Sequence, residues 1–162
     1  MLNWIRRLGL SAIVIVLDQF TKSWVTSTYQ FGDSVTITSF FNLVLAYNTG
    51  AAFSFLAGAG GWQRAFFIAI AVIASIAIIF LLRKPQNHRQ MNMALALILG
   101  GAIGNLIDRV RLGHVVDFIQ IHAAGYFWPA FNVADSAITI GAALLIWDSF
   151  RKPALASSTG KS

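Results

Sequence analysis

Four apolar runs, each about as long as a bilayer is thick, leave this chain few folds to choose from. They cover approximately Leu8 to Val25, Ala65 to Leu82, Asn92 to Val110 and Phe131 to Phe150. As helices of roughly 1.5 Å rise per residue, such runs cross most of an approximately 30 Å hydrocarbon core. Inside that core every backbone N–H and C=O must be paired within the segment, so the runs are predicted to be helices. The chain is 57% hydrophobic and 11% charged, far from the balance of a water-soluble domain.

Each run has its own character. The first follows Arg6 and Arg7 and resembles a signal peptide in outline, but Asp18 and Lys22 interrupt it and no small-residue cleavage site follows. It is read as a retained transmembrane helix. The second holds no ionisable residue and reads as lipid-facing scaffold. The third contains Gly100-Gly101-Ala102-Ile103-Gly104, whose Gly-xxx-Gly spacing permits close helix contact, and it ends in Asn105, Asp108, Arg109 and Arg111. The fourth carries Asp135 within one turn of its start.

Between the first two runs the pattern changes. Ser34-Val35-Thr36-Ile37-Thr38 alternates, as a strand with one wet face does. Phe40 to Tyr47 is β-prone, Asn48-Thr49-Gly50 reads as a turn, and Ala57 to Gly61 as a flexible loop. A small sheet at the membrane surface is expected here. Residues 112–129 are read as a loop carrying His114, Asp117 and His122. There is no internal repeat, so residues 1–162 form a single membrane domain whose tail, 154–162, is expected to be disordered.

The net charge of +6 does not point to nucleic acid, because the basic residues sit at the ends of apolar runs. Arg6, Arg7, Arg83, Lys84, Arg89, Arg151, Lys152 and Lys161, eight of the 12 Lys and Arg, flank segments that four spans place on one side. The positive-inside rule makes that side cytoplasmic, with both termini. Asp18 and Lys22, then Asn105, Asp108 and Arg109, then Asn132 and Asp135 therefore meet at the outer level, beside loops holding Asn48 and Asp117. Ionisable groups at such depth rarely face lipid, so their convergence implies a site.

Several chemistries are excluded. There is no Cys for a thiolate or disulfide, and His88, His114 and His122 have no zinc-site spacing. Neither a metal nor another cofactor is expected. Lys22 as a general base partnering a Ser is disfavoured by Asp18, four residues earlier on the same helix face. Asp117 and Asp135 remain: two carboxyls forced together share one proton, leaving one acid and one base. A plainer reading stays open, in which Asp117 is a loop cap, Asp135 a helix-dipole acid and Asp18–Lys22 a self-neutralising pair. A proton relay through Asp18, Lys22, Asp108 and Asp135 is also open, though polar residues do not span the full depth.

Asp18-Gln19-Phe20-Thr21-Lys22, Asn48-Thr49-Gly50-Ala51-Ala52-Phe53, Gly104-Asn105-Leu106-Ile107-Asp108-Arg109, Val115-Val116-Asp117-Phe118 and Phe131-Asn132-Val133-Ala134-Asp135-Ser136 together resemble the motifs of bacterial lipoprotein signal peptidases, type II. The resemblance runs in order along nearly the whole chain. It implies an α-helical integral membrane protein of four transmembrane helices, with a small extracytoplasmic β-sheet cradling substrate between helices 1 and 2, from about Phe31 to Leu56. It implies an aspartic endopeptidase of the bacterial inner membrane that removes signal peptides from prolipoproteins, cutting before a diacylglyceryl-modified Cys. By matching positions Asp117 and Asp135 would be the catalytic pair. Asp18, Lys22, Asn48, Gly50, Asn105, Arg109 and Asn132 would be the polar shell and substrate contacts. Asp108 falls outside that set and is expected to tolerate amidation better than the pair. The expected partners are lipidated precursor and membrane lipid, not nucleic acid, and a monomer is expected.

Overall fold

The computed structural model describes residues 2–50, 60–84 and 89–150. Ala51 to Leu56 at the end of the expected sheet segment, most of the Gly-rich loop, His88 and the tail lie outside the described residues. Four helices, α1 (Leu2–Thr28), α2 (Trp62–Arg83), α3 (Arg89–Arg111) and α4 (Val133–Phe150), are each long and apolar enough to cross a membrane. Their apolar residues point outward: Val16 and Phe20 on α1, Ile73 and Phe80 on α2, Ile146 and Trp147 on α4 are all exposed. Such outward apolar faces suit lipid as solvent.

α3 is the central helix and packs against the other three. Its glycines set the spacing, since lipid-surrounded helices associate largely through close backbone packing. A Cβ on Gly100 would come within 2.7 Å of Val14 Cβ on α1, and one on Gly104 within 2.6 Å of Asp18 Oδ2. Gly141 on α4 is equally tight, its Cβ position 2.7 Å from the Ala94 carbonyl of α3. Ser11 Oγ adds a buried hydrogen bond to the Ala96 carbonyl at 2.8 Å. Ile78, Leu82, Leu95 and Leu99 form the α2–α3 seam. Arg7 closes the end of α2, donating from Nη1 to the Leu82 and Lys84 carbonyls at 2.9 and 3.0 Å. Those carbonyls belong to the helix end that has no internal partners.

At the opposite end lies an antiparallel sheet in the order β1 (Ser34–Thr38), β2 (Phe41–Asn48), β3 (Val115–Ala123), β4 (Tyr126–Phe127). The segment between α1 and α2 supplies two strands, as expected. The segment read as a loop supplies the other two. Val115 to Ile121 is rich in β-branched residues, but its partner β2 lies some 70 positions earlier, so pairing is a long-range event. Ala124 and Gly125, both with positive φ (50° and 83°), make the two-residue turn into β4. β1 has no dry face: all five residues are exposed, because it is the sheet edge and no described element covers Val35 or Ile37. Under β2 and β3, Val25 of α1 packs with Leu43, Leu45, Val116 and Phe118 and seats the sheet on the bundle.

Candidate active site

α4 begins with a reciprocal cap. Asn132 Oδ1 accepts the Asp135 N–H at 2.9 Å, while Asp135 Oδ2 accepts the Asn132 N–H at 3.3 Å. This is a capping box with Asn and Asp in its two positions. A further first-turn donor, the Ala134 N–H, goes to Asp18 Oδ1 of α1 at 2.9 Å. The approach to the cap is pinned to β3, because the Phe131 carbonyl accepts from Ile119 N and Phe118 N at 2.8 and 3.0 Å. Asp117 on the strand and Asp135 on the helix are thereby brought side by side.

Asn132 joins them. Its Nδ2 donates to Asp117 Oδ1 at 2.7 Å, and also to the Val116 carbonyl at 3.2 Å and Asn105 Oδ1 at 3.3 Å. Asn105 Nδ2 donates to Asp135 Oδ1 at 2.7 Å. Asn48, at the end of β2, hydrogen-bonds the Asp117 carboxyl and accepts the Gly50 N–H at 2.9 Å. Asp117 is buried (3% exposed), and burial pushes its carboxyl up to about 7, with the Asp135 charge adding to that. The Asn48 and Asn132 hydrogen bonds and the Lys22 charge pull the other way and lose.

Beneath the pair lies a buried ionic cluster. Lys22 Nζ contacts Asp18 Oδ2 at 2.8 Å, Asp108 Oδ2 at 2.9 Å and Asn105 Oδ1 at 2.9 Å, so all three ammonium donors are engaged. Asp108 Oδ2 also accepts the Val116 N–H at 3.1 Å, and its Oδ1 accepts from Gln19 Nε2 at 2.9 Å. The cluster has a symmetry of purpose: Asp18 holds the peptide N–H of residue 134 and Asp108 that of residue 116, each one step before an aspartate of the pair. Lys22 ties the two holders together.

Arg109 flanks the pair. It donates to the Gly50 carbonyl at 2.9 Å and the Asn105 carbonyl at 3.4 Å, with Asp135, Asp117 and Asp108 all within electrostatic reach.

All nine residues singled out in the sequence therefore gather in one place. Asp18, Lys22, Gly50, Asn105 and Asn132 are buried, so they face protein, not an open surface. Asp108, placed outside the catalytic and shell set, is 3% exposed, ion-paired to Lys22, and accepts the Val116 N–H on the strand of Asp117. Gln19, one residue from Asp18, was legible only as part of a motif; its amide bridges Asp18, Asp108 and the Gly104 carbonyl. His114 and His122 both pack against aromatic rings. His114 stacks on Tyr47 at 4.2 Å and His122 on Phe127 at 5.2 Å, and burial lowers the His114 pKa against a smaller opposing effect of Asp108.

A family model described as signal peptidase (SPase) II matches residues 10–151 of the chain. The chain belongs to the signal peptidase II family. Two relatives named lipoprotein signal peptidase bear this out. The one from Janthinobacterium sp. (strain Marseille) is 57% identical over 94% of this chain and 90% of its own length. The one from Ralstonia nicotianae is 59% identical over 90% of this chain and 84% of its own. Two solved structures described as bacterial membrane enzymes share the fold. Their TM-scores are 0.81 and 0.80 at 34% and 36% identity, and they cover 93% and 91% of this chain and 94% of each of theirs. Membership in the signal peptidase II family makes the chain a protease, and its four helices, long and apolar enough to cross a membrane, fit a multi-pass protein of the bacterial inner membrane.

Proposed function

We propose that this protein is an intramembrane aspartic endopeptidase that removes signal peptides from diacylglyceryl-modified prolipoproteins, with Asp117 and Asp135 as its catalytic pair. One observation carries the reading: a single buried residue, Asn132, donates to both carboxylates, through Nδ2 to Asp117 and through its peptide N–H to Asp135. The helix cap accounts for Asp135 meeting the Asn132 peptide N–H, but not for a second acid, on a strand, meeting the same residue's side chain.

In this mechanism the shared proton rests on Asp117, whose carboxyl is held near neutrality. Asp135, in the first turn of α4, has the helix N-terminus to favour its anion. Asp135 takes a proton from a water held between the two groups as the oxygen attacks the scissile carbonyl carbon. Asp117 gives its proton to the carbonyl oxygen. As the tetrahedral diol collapses, Asp135 passes its proton to the leaving nitrogen, the C–N bond breaks, and Asp117 recovers a proton from the hydroxyl. Both groups return to their starting states. Asn48 and Arg109, only partly buried, bind the substrate backbone, whereas the buried Asp18, Lys22, Asn105 and Asn132 hold the frame and Gly50 presents its carbonyl to Arg109.

The exposed apolar helix faces let the diacylglyceryl chains stay in lipid while the peptide enters the site. The basic residues at the end away from the sheet support a cytoplasmic side there, both termini inside and the site at the outer face. Every group named comes from one chain, which supports a working monomer. Incubating detergent-purified protein with a synthetic diacylated precursor peptide tests the reading. Cleavage before the lipidated Cys, lost in Asp117→Asn and in Asp135→Asn, is the expected result. Cleavage by either variant at the wild-type rate overturns it.

A further inference from the structure

Arg109 presents a problem that the pair alone does not solve. An arginine beside two aspartates is well suited to fork onto one of them, which would freeze the carboxylate in its ionised form and end proton exchange. Yet Arg109 donates to two backbone carbonyls, those of Gly50 and Asn105, and not to Asp117 or Asp135. Its Nε is buried and, among the described residues, meets no acceptor. Something holds this side chain back from the charges that attract it.

The start of α2 touches Arg109 twice. From the backbone side, Arg64 Nε donates to the Arg109 carbonyl and Arg64 Nη2 to the Val110 carbonyl, both at 2.9 Å. These are carbonyls of the last turn of α3, which lack partners within the helix. From the side-chain side, Phe67 presents its ring to the Arg109 guanidinium, 5.3 Å from centroid to Cζ. A guanidinium over a ring face is attracted by the ring quadrupole and loses little planarity or hydration in the contact. Arg64 and Phe67 are three apart, so they share one face of α2. Phe67 is itself braced by Phe66 at 5.3 Å, and Phe66 by Trp62 at 5.6 Å.

We infer that Arg64 and Phe67 are positioning residues for Arg109. Arg64 fixes the helix end from which Arg109 departs, and Phe67 supplies a face that competes with the two carboxylates for the guanidinium. Together they keep Arg109 beside the pair, not on it, with its guanidinium uncommitted to either carboxylate. Neither residue belongs to the five motifs above. The inference rests on the proposal that Arg109 acts on substrate, and the test separates the two.

The variants are Phe67→Leu, which keeps an apolar side chain but removes the ring, Phe67→Tyr, which keeps the ring, Arg64→Gln, Arg64→Lys, Arg109→Gln and the double Phe67→Leu/Arg109→Gln. Each is assayed in detergent against the diacylated precursor peptide, with kcat/KM measured across pH and thermal midpoint recorded. Phe67→Leu is expected to lower kcat/KM by about 3- to 20-fold while Phe67→Tyr stays within about twofold of wild type. Arg64→Gln should lower it similarly, and Arg64→Lys, able to reach one carbonyl, should recover part of the loss. In the Arg109→Gln background, Phe67→Leu should change nothing further, since its effect runs through the arginine. Equal losses in Phe67→Leu and Phe67→Tyr, or an undiminished Phe67→Leu loss in the Arg109→Gln background, would mean packing alone and overturn the inference. Arg109→Gln at full activity would sink the substrate role of Arg109 and this inference with it. An impaired Arg109→Gln beside an unimpaired Phe67→Leu would sink only the inference.

Discussion

Asn132 is fully buried, and its side-chain oxygen, side-chain nitrogen and peptide N–H are all committed to the pair and its supports. That commitment makes the consequences of changing either aspartate specific. Asn matches Asp in shape and can still meet Asn132, but it cannot exchange a proton. Asp117→Asn and Asp135→Asn should each lower turnover by at least about 10³-fold in the peptide assay, and the double variant should be no worse, because the two act as one unit. The raised Asp117 carboxyl adds a pH signature. Activity should decline as pH rises through about 7, where Asp117 gives up the shared proton. Stability moves in the same direction. The folded protein holds a proton on Asp117 that the unfolded chain releases near pH 4, so wild type loses stability as pH climbs from about 4 to about 7. Asp117→Asn has no such proton to lose. Its thermal midpoint relative to wild type should therefore rise across that window and level off above it, and a flat difference would refute the burial of Asp117 as described.

At the scale of elements, the question is what keeps a strand and a helix in register to within a hydrogen bond. The Lys22 cluster answers it by holding the N–H before each aspartate. Lys22→Met would leave Asp18 and Asp108 buried without their counter-ion, a loss of about 3–5 kcal/mol. Thermal unfolding in detergent should show a large drop for Lys22→Met and a smaller one for Asp18→Asn, whose amide oxygen can still accept the Ala134 N–H. Asp108→Asn should cost activity more than an exposed acid would, by loosening Val116 and with it Asp117. A Lys22→Met protein as stable as wild type would show that the cluster is dispensable. Gly104 belongs to the same element-level constraint: with Asp18 Oδ2 2.6 Å from its Cβ position, Gly104→Val must push α1 away and disturb the cluster. Its midpoint should fall with the activity.

For the whole molecule, the sheet lies at one end of the bundle and the basic residues 83, 84 and 89 at the other. With no native Cys, single cysteines report sidedness without background. Thr36→Cys and Tyr126→Cys, both at exposed positions on the sheet, should react in intact cells with an impermeant maleimide, and Lys84→Cys should react only after lysis. The opposite pattern would place the site on the cytoplasmic face and remove the outer-face reading.

Periodicity and composition were enough to set the four helices, because lipid admits hardly any other backbone and apolar length is a local property. The small residues of α3 were equally legible as a contact surface. Asp18, Lys22, Asn105, Asp135 and their neighbours could be named one at a time, since an ionisable group or amide in an apolar helix is costly and so conspicuous, whereas Gly50 was singled out only through the motif resemblance. What no local pattern contained was β3. Its pairing with β2 and the Phe131 bridge are contacts between distant segments, and they move Asp117 from a loop onto a rigid strand. Nor could Asp108 or Phe67 be assigned a task from the sequence: an acid at a helix end and a phenylalanine in an apolar span are ordinary there. Only tertiary packing decides that one carboxylate meets the Val116 N–H and that one ring faces a guanidinium, because hydrogen bonds and cation–ring contacts depend on distance and angle, which residue spacing leaves open between elements.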